Sequence, residues 1–288
     1  MSSAIEPPFH EIAIVGLGLI GGSIALAVRE RWPASRVIAV DRQPVLAHAI
    51  STGAIDSMCE SVAAIPSADL IVLAAPVRQN IDLLGEIGRS LKTPAVVTDV
   101  GGTKQSIVNA AQGLPETLTF VGGHPLGGAE RGGFGFARPD LFVGRPWIFT
   151  PDGPRARDAV DRLSRFVTRL GARPATVTAE EHDHLMAVLS HLPQLTVTAL
   201  MGVVGASVQG DRLTLAGQGL VDTTRLASSP ASVWRDICTT NPDAIGDALD
   251  RLIARLQEMR AALQQGDTID RFFDEAARAR AELMKGRE

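Results

Sequence analysis

A glycine-rich turn near the start of the chain most constrains the fold. An apolar run at residues 11–15 leads into Gly16-x-Gly18-Leu19-Ile20-Gly21, and a helical pattern follows. In such a unit the first glycine permits the tight turn, the second lets phosphates approach the backbone, and the third lets helix and strand pack closely. The bare N–H groups at the helix start favour a pyrophosphate. We therefore expect a dinucleotide-binding βαβ unit, the alternative being an ordinary βαβ turn that binds nothing.

The end of the next predicted strand supports this reading. The apolar run at residues 36–40 ends at Asp41, twenty residues beyond Gly21. An acid at this place can hydrogen-bond the adenosine ribose hydroxyls of NAD and repel the extra phosphate of NADP. Arg42 stands beside it and could instead accept a 2′-phosphate, so NAD is favoured and NADP stays possible.

The first half of the chain alternates between strand-like and helical runs. This alternation predicts an α/β fold of the Rossmann type, a doubly wound, mostly parallel sheet with ligands beyond the carboxyl ends of its strands. We expect the loops at those ends to converge on one cleft; they are Gly16–Gly21, Asp41, Ala75–Pro76, Val100–Lys104 (directly after Asp99) and Gly122–Gly128.

From Ala179 onward the pattern is helical only, with a clear 3.6-residue apolar stripe between residues 245 and 263. We predict a dinucleotide-binding domain at residues 1–178 and an all-helical domain at residues 179–288. Long helices with wide apolar faces in a small domain usually need a partner, so we expect a homodimer. The most apolar stretch, residues 195–208, reads as a buried core helix that is too short for a membrane span.

Composition narrows the class of protein further. The 288 residues include 28 basic and 32 acidic ones, a net charge of −4 that implies no nucleic-acid surface. Cys59 and Cys238 are isolated and have no metal-ligand spacing. The N-terminus shows no signal peptide. We expect a reduced, cytoplasmic protein with no membrane or metal partner.

Two histidines are candidates for chemistry. His124 directly follows a predicted strand and lies between glycines and a proline, where an imidazole can accept a proton at neutral pH. His191 precedes Pro193 at an expected kink of a helix, either as a polar site residue or as a core histidine. The nearby His182, Asp183 and His184 are better explained as a solvated helix start than as a metal site, because positions two apart on a helix face different ways.

Arg225 presents a planar fork that can bind a carboxylate in two-point fashion, and Trp234 could wall the same pocket. An arginine paired with an acid at a domain or dimer contact is the alternative for Arg225. Lys104, at the start of a predicted helix, could face either solvent or substrate.

Taken together, these segments resemble the prephenate/arogenate (cyclohexadienyl) dehydrogenase family over nearly the full length of the chain. The segments that carry the resemblance stand in the family's order: Gly16-Leu-Gly-Leu-Ile-Gly-Gly-Ser23, Asp99-Val-Gly-Gly-Thr-Lys104, Gly123-His-Pro-Leu-Gly-Gly128, His182-Asp183, Ser190-His-Leu-Pro193, Asp222-Thr-Thr-Arg225 and Trp234-Arg-Asp-Ile237 with Asn241.

The resemblance implies oxidative decarboxylation of a small cyclohexadienyl carboxylate with NAD, in tyrosine biosynthesis. It implies that His124 takes the proton of the ring hydroxyl at C4, that Arg225 holds a substrate carboxylate and that His191 adds a polar contact. It also implies substrate contacts from a set made up of Trp234, Gly102, Thr103, Lys104 and Gln194. The expected cofactor contacts are Gly16, Gly18, Leu19, Ile20, Gly21, Asp41, Arg42, Ala75, Pro76 and Asp99.

The chain departs from the family pattern at two positions. Gly102 stands where many members have serine, and Gln194 where many have a second histidine. Both departures suggest an alternative, the same chemistry on a modified substrate such as 4-amino-4-deoxyprephenate. A β-hydroxyacid dehydrogenase would need a lysine in the core of the helical domain. The chain has lysines at positions 92, 104 and 285 only, and we expect none of them in that core.

Overall fold

A computed structural model describes residues 6–128, 131–208 and 210–285. It contains one eight-stranded sheet in the order β3-β2-β1-β4-β5-β6-β7-β8. Strands β1 to β6 run parallel, β7 runs antiparallel to β6, and β8 is parallel to β7. The strands are β1 Glu11–Val15, β2 Arg36–Val40, β3 Ser57–Cys59, β4 Leu70–Leu73, β5 Ala95–Asp99, β6 Leu118–Pro125, β7 Pro146–Pro151 and β8 Arg173–Thr176. The predicted Rossmann-type sheet is confirmed.

Helices cover both faces of the sheet because side chains along each strand alternate between them. Ile12 and Ile14 of β1 belong to a core shared with α1, α2 and α5, whereas Ala13 and Val15 belong to a core shared with α3 and α4. The helices are α1 Leu19–Arg31, α2 Gln43–Ser51, α3 Val77–Ser90, α4 Gln105–Ala111, α5 Ala156–Arg169, α6 Ala179–Met186, α7 Leu192–Ser207, α8 Gln218–Thr223, α9 Ala231–Thr240, α10 Pro242–Ala262 and α11 Gly266–Lys285.

The turn between β1 and α1 requires its glycines. Gly16 has φ +98°, and a Cβ atom there would lie 2.8 Å from the carbonyl of Ala74. A Cβ atom on Gly21 would lie 1.9 Å from the carbonyl oxygen of Gly16, so helix and strand could not approach as they do. The sequence-based reasons for these two glycines are therefore confirmed.

The helical run after β8 begins at Ala179 of α6, where the Thr178 side chain accepts the N–H of Glu181. It continues through a π-helical turn, Ala187–His191, into α7. Pro193 lacks an N–H and disturbs the helical hydrogen bonding just before it, which accounts for the wider turn. The helix is therefore irregular at the place where the sequence predicts a kink.

The expectation that the apolar stretch at residues 195–208 is buried on every side is wrong. Within α7 only Gln194 and Val197 are buried, and Val203 is 64 % exposed. The helical run containing this stretch spans 29 residues, Ala179–Ser207, and by length and composition alone it could cross a membrane. The expectation counted only the apolar core of a longer helix. Hydropathy also does not reveal whether the chain itself or another molecule covers such a helix.

The chain divides into two compact units, one ending at Pro242 and the other beginning at Asp243. In the second unit, the Arg255 guanidinium lies 4.1 Å from the centre of the Phe272 ring and pairs with Glu275. The change from sheet to helix falls at Thr178 and the division into units falls after Pro242, so the boundary between residues 178 and 179 stays a prediction.

Candidate active site

The turn after β1 suits a dinucleotide phosphate group. Around Gly18 no atom lies within 4 Å of where a Cβ atom would be, so its backbone is open to a ligand. Gly18 also caps α1, whose first turn carries no acidic residue that would repel an anion. Leu19 and Ile20 form the first turn of α1, as the predicted phosphate contact requires. Ala75 and Pro76 follow β4, the strand next to β1, at the same edge of the sheet.

Asp41 lies at the carboxyl end of β2, where the sequence predicts the ribose contact. Its Oδ2 accepts the N–H of Leu17 at 2.6 Å, which ties the acid to the glycine turn. Arg42 has a side chain that is 88 % exposed, with its Nε 3.9 Å from Asp41 Oδ1. The residues present therefore fit a dinucleotide with its ribose beside Asp41.

His124 is held near the end of β6 by pairing with Ile148 of β7. Its ring is partly buried, and its Nδ1 lies 2.9 Å from Nε2 of His182. His182 comes from α6, so the two histidines belong to the sheet and to the helical run that follows it. The sequence analysis did not foresee this contact.

Asp183 fixes the direction of hydrogen bonding through both imidazoles. Its Oδ1 accepts the N–H of Lys104 at 2.7 Å and its Oδ2 accepts the N–H of Gln105 at 2.9 Å, so the carboxylate caps α4. Oδ1 also lies 2.8 Å from Nδ1 of His182. A carboxylate is an acceptor, so His182 donates from Nδ1 and accepts at Nε2. His124 must then donate from Nδ1, which leaves the lone pair of its Nε2 for another partner.

The surroundings keep these histidines neutral. Burial holds the pKa of His124 well below its ordinary value, and the nearby His182, Lys104 and His191 lower it further. Burial lowers the pKa of His182, against the opposing effect of Asp183. Burial also lowers the pKa of His191, to about 4. A neutral imidazole at position 124 can accept a proton at physiological pH.

The expectation of a solvated helix start at His182 and Asp183 is wrong, because both side chains are buried. Sequence reasoning missed them as site residues. Adjacent helical positions carry no spacing signal. A histidine and an acid four and five residues after the Thr178 cap would nevertheless dock on the sheet if the start of that helix faced it. Asp236 was also missed. Its carboxylate accepts the N–H groups of Val77 and Arg78 and so caps α3.

Lys104 and Asp99 differ from the contacts predicted for them. Both are fully buried and form an ion pair with each other. Lys104 also donates to the carbonyl of Gly123 at 2.9 Å, and Asp99 accepts the N–H of Gly123 at 3.0 Å. Both charged groups are thus used within the protein, and the pair fixes the strand residue next to His124.

Thr103 is likewise fully buried, with its hydroxyl 2.7 Å from that of Thr240, and its substrate contact stays a prediction. Gly102 is partly exposed between these buried residues. A Cβ atom on Gly102 would meet Ile237 at 3.6 Å, an ordinary contact, so the position has room for a small side chain.

His191 and Trp234 lie together beside this cluster. Their ring centres are 6.1 Å apart and nearly perpendicular. His191 is buried, and its Nδ1 forms no hydrogen bond with any residue that the structure describes. A buried polar nitrogen without a partner is costly, and such atoms are frequent where a ligand supplies the partner.

Gln194, one turn further along, binds the segment that carries Arg225. Its Nε2 donates to the carbonyl of Leu226 at 2.8 Å, and its Oε1 accepts the hydroxyl of Ser229 at 3.2 Å. Its amide is thus used within the protein instead of facing a substrate as expected. Arg225 itself is exposed and lies outside the histidine cluster, on a cleft with a different lining.

Within residues 6–128, 131–208 and 210–285, no group of three or more histidine, cysteine or acidic side chains could hold a metal ion. The arrangement combines a glycine turn suited to a phosphate, an acid suited to a ribose, and a neutral histidine aligned through a second histidine to a carboxylate. Together with the fold, this defines a nucleotide-dependent oxidoreductase with a helical C-terminal part.

Comparisons with known proteins make the class specific. Residues 24–176 match the model of the prephenate dehydrogenase nucleotide-binding domain, and residues 178–275 match that of the prephenate dehydrogenase dimerization domain. The chain belongs to the prephenate dehydrogenase family.

Individual relatives agree with this assignment. The chain is 35 % identical to a prephenate dehydrogenase of Bacillus subtilis over 267 residues, 91 % of this chain and 72 % of that protein. It is 32 % identical to a cyclohexadienyl dehydrogenase of Zymomonas mobilis over 284 residues, 96 % of both. The crystal structure of prephenate dehydrogenase from A. aeolicus with hydroxyphenyl propionate and NAD+ superposes with a TM-score of 0.89 at 27 % identity, covering 95 % of this chain and 98 % of the other.

Proposed function

We propose that this protein catalyses the NAD-dependent oxidative decarboxylation of prephenate to 4-hydroxyphenylpyruvate. The observation that carries the proposal is the hydrogen-bonded series Asp183–His182–His124, which leaves one lone pair of a neutral imidazole free in a family of prephenate dehydrogenases. The phosphate-binding turn at Gly16 and the acid Asp41 supply the cofactor end of the site.

The chemistry divides between the cofactor, the substrate and the protein. A nicotinamide dinucleotide held by the Gly16–Gly21 turn and Asp41 would supply the acceptor for the hydride of C4. His124 accepts the proton of the C4 hydroxyl at Nε2, so that the electron pair of the O–H bond can support hydride departure. The bond between C1 and its carboxylate breaks and carbon dioxide leaves. The electron pair of that bond stays with the ring and completes the aromatic system. The proton held by His124 returns to the phenol oxygen, so no net proton is consumed.

The remaining residues bind and orient the substrate. His191, with an unpartnered Nδ1 and a neutral ring, offers a hydrogen bond to a polar group of the substrate. Trp234 forms an apolar wall beside it. Arg225 binds a substrate carboxylate, for which its exposed guanidinium is suited. Holding the substrate in one orientation contributes several kcal/mol to the rate.

NAD is the proposed cofactor in preference to NADP, because the Asp41 carboxylate is fixed against the glycine turn and would repel a 2′-phosphate. The exposed Arg42 is the group through which NADP could still bind. Comparing kcat/KM for the two cofactors tests the choice, and a preference for NADP would overturn it.

The proposed reaction is tested by mixing the protein with NAD and prephenate and following NADH absorbance, released carbon dioxide and the phenolic product together. We expect the three to appear in equal amounts. His124→Asn should lower kcat by about 10²- to 10⁴-fold and leave NAD affinity nearly unchanged. Absence of NADH formation from every cyclohexadienyl acid would refute the function, and an unimpaired His124→Asn variant would refute the base.

We also propose that the protein works as a homodimer. The exposed apolar side chains of the helical run, among them Leu189 at 65 % and Val203 at 64 %, need a cover. The match to a dimerization domain favours a second copy over a membrane. Light scattering after size-exclusion chromatography should give twice the mass of the chain without detergent, and a monomer at micromolar concentration would contradict the proposal.

A further inference from the structure

Arg225 shares its cleft with a second arginine that the sequence analysis did not single out. The cleft has a volume of about 860 Å³, within the range of small-molecule sites. Arg131 and Gly128 line one side, and the segment from Val221 to Pro230, which includes Arg225, lines the other. Two guanidinium groups from distant parts of the chain therefore face one space.

Contacts restrain the surroundings of both arginines. The guanidinium of Arg131 lies 5.7 Å from the centre of the Phe136 ring. The segment that carries Arg225 is fixed at Leu226 and Ser229 by Gln194. Two cations held at one cleft repel each other, and an anionic ligand bound between them removes that cost.

Gly128, which lines the cleft, lies just beyond the carboxyl end of β6, the strand that carries His124. Gly128 is four positions after His124, so at most about 14 Å of chain spans the distance between them. A substrate that presents a hydroxyl to His124 can thus present its opposite end to the arginines.

The chemistry of the substrate matches this arrangement and rests on the proposed function. C1 of prephenate, opposite the C4 hydroxyl, carries one carboxylate directly and a second one at the end of its pyruvyl side chain. The alanyl side chain of arogenate keeps that second carboxylate and adds an ammonium group beside it. The ammonium group would lie among the guanidinium groups, and its repulsion would offset the attraction of the carboxylate.

We propose that Arg131 binds the side-chain carboxylate while Arg225 binds the ring carboxylate, and that Arg131 thereby makes the enzyme prefer the pyruvyl substrate over the alanyl one. Asp222 also lines the cleft, with Oδ1 accepting the amide of Gln218 at 2.8 Å. Its negative charge opposes the preference, and the two arginines outweigh it.

The test compares kcat/KM for prephenate and arogenate in matched variants. Arg131→Gln should lower kcat/KM for prephenate by about 10- to 100-fold, mainly through KM, and change that for arogenate by less than about threefold. Arg131→Gln should thus lower the ratio of kcat/KM for prephenate to that for arogenate, and Asp222→Asn should raise this ratio. Arg157→Gln, which removes an exposed arginine of α5, should leave both substrates unchanged.

The outcomes separate this proposal from the proposed function. If the unaltered protein oxidises neither substrate, the function itself is wrong. If it oxidises prephenate and Arg131→Gln leaves the ratio of the two kcat/KM values unchanged, only the role of Arg131 is overturned. An unaltered protein that prefers arogenate also overturns it. Circular dichroism and NAD affinity of each variant show whether it is folded.

Discussion

Removing the His182 imidazole should impair catalysis although His182 never touches the substrate. Its Nε2 accepts the Nδ1–H of His124 at 2.9 Å, and His182→Leu leaves that donor without its acceptor in a buried position. An unsatisfied buried donor costs about 1–3 kcal/mol. The ring of His124 avoids this cost by flipping or by changing its tautomer, so its productive form is disfavoured by a similar free energy. The productive form then becomes about 5- to 150-fold less populated.

We therefore expect His182→Leu to lower kcat by about 10- to 100-fold, with little change in the KM for NAD. His182→Gln should recover much of this loss, because its amide oxygen can accept from His124. His184→Leu is the matched control, since His184 lies on the same helix, is exposed and bonds only the carbonyl of Glu180. Steady-state kinetics of NADH formation measure all three. A His182→Leu variant with the kcat of the unaltered protein would refute the reasoning.

Three further predictions concern stability and substrate binding. The pKa of His191 is lowered to about 4 in the folded protein, whereas the same imidazole in the unfolded chain has its ordinary pKa near 6.5. As pH falls below about 6.5 the unfolded chain binds a proton that the folded protein does not, so the free energy of unfolding decreases. Urea unfolding of the protein should show about 2 kcal/mol less stability from this residue at about pH 5 than at about pH 7.5, and His191→Gln should lose correspondingly less. Lys104→Met strands the buried Asp99 charge and should lower the free energy of unfolding by about 3–5 kcal/mol; a loss below about 1 kcal/mol would contradict the buried pair. Gln194→Leu should raise the KM for prephenate several-fold with kcat nearly unchanged, because it frees the segment that holds Arg225, and an unchanged KM would count against this anchor.

The cofactor half of the molecule follows closely from local sequence. Contacts within a few tens of residues set two features of this half. One is the glycines whose Cβ atoms would collide with the backbone, and the other is the strands whose side chains alternate between two cores. Their pattern therefore predicts both the sheet and the turn. His124 could be found in the same way, because it stands at the end of a strand.

The catalytic half depends on contacts between distant segments, which local pattern does not encode. Lys104 looks like any lysine at a helix start, and its burial depends on Asp99 and on the approach of α6. His182 and Asp183 read as solvated for the same reason. The apolar faces of α7 read as core because hydropathy measures a preference to leave water and not the identity of the covering molecule.

Nitrogen-15 shifts of the histidine rings test most directly how the base is prepared. The chain has six histidines, so a sample labelled at histidine alone gives few signals, and the His124→Asn spectrum assigns the one of interest. At neutral pH, position 124 should show a protonated Nδ1 and a bare Nε2. A proton on Nε2 instead would mean that the lone pair faces His182, and His124 could not take a proton from a substrate.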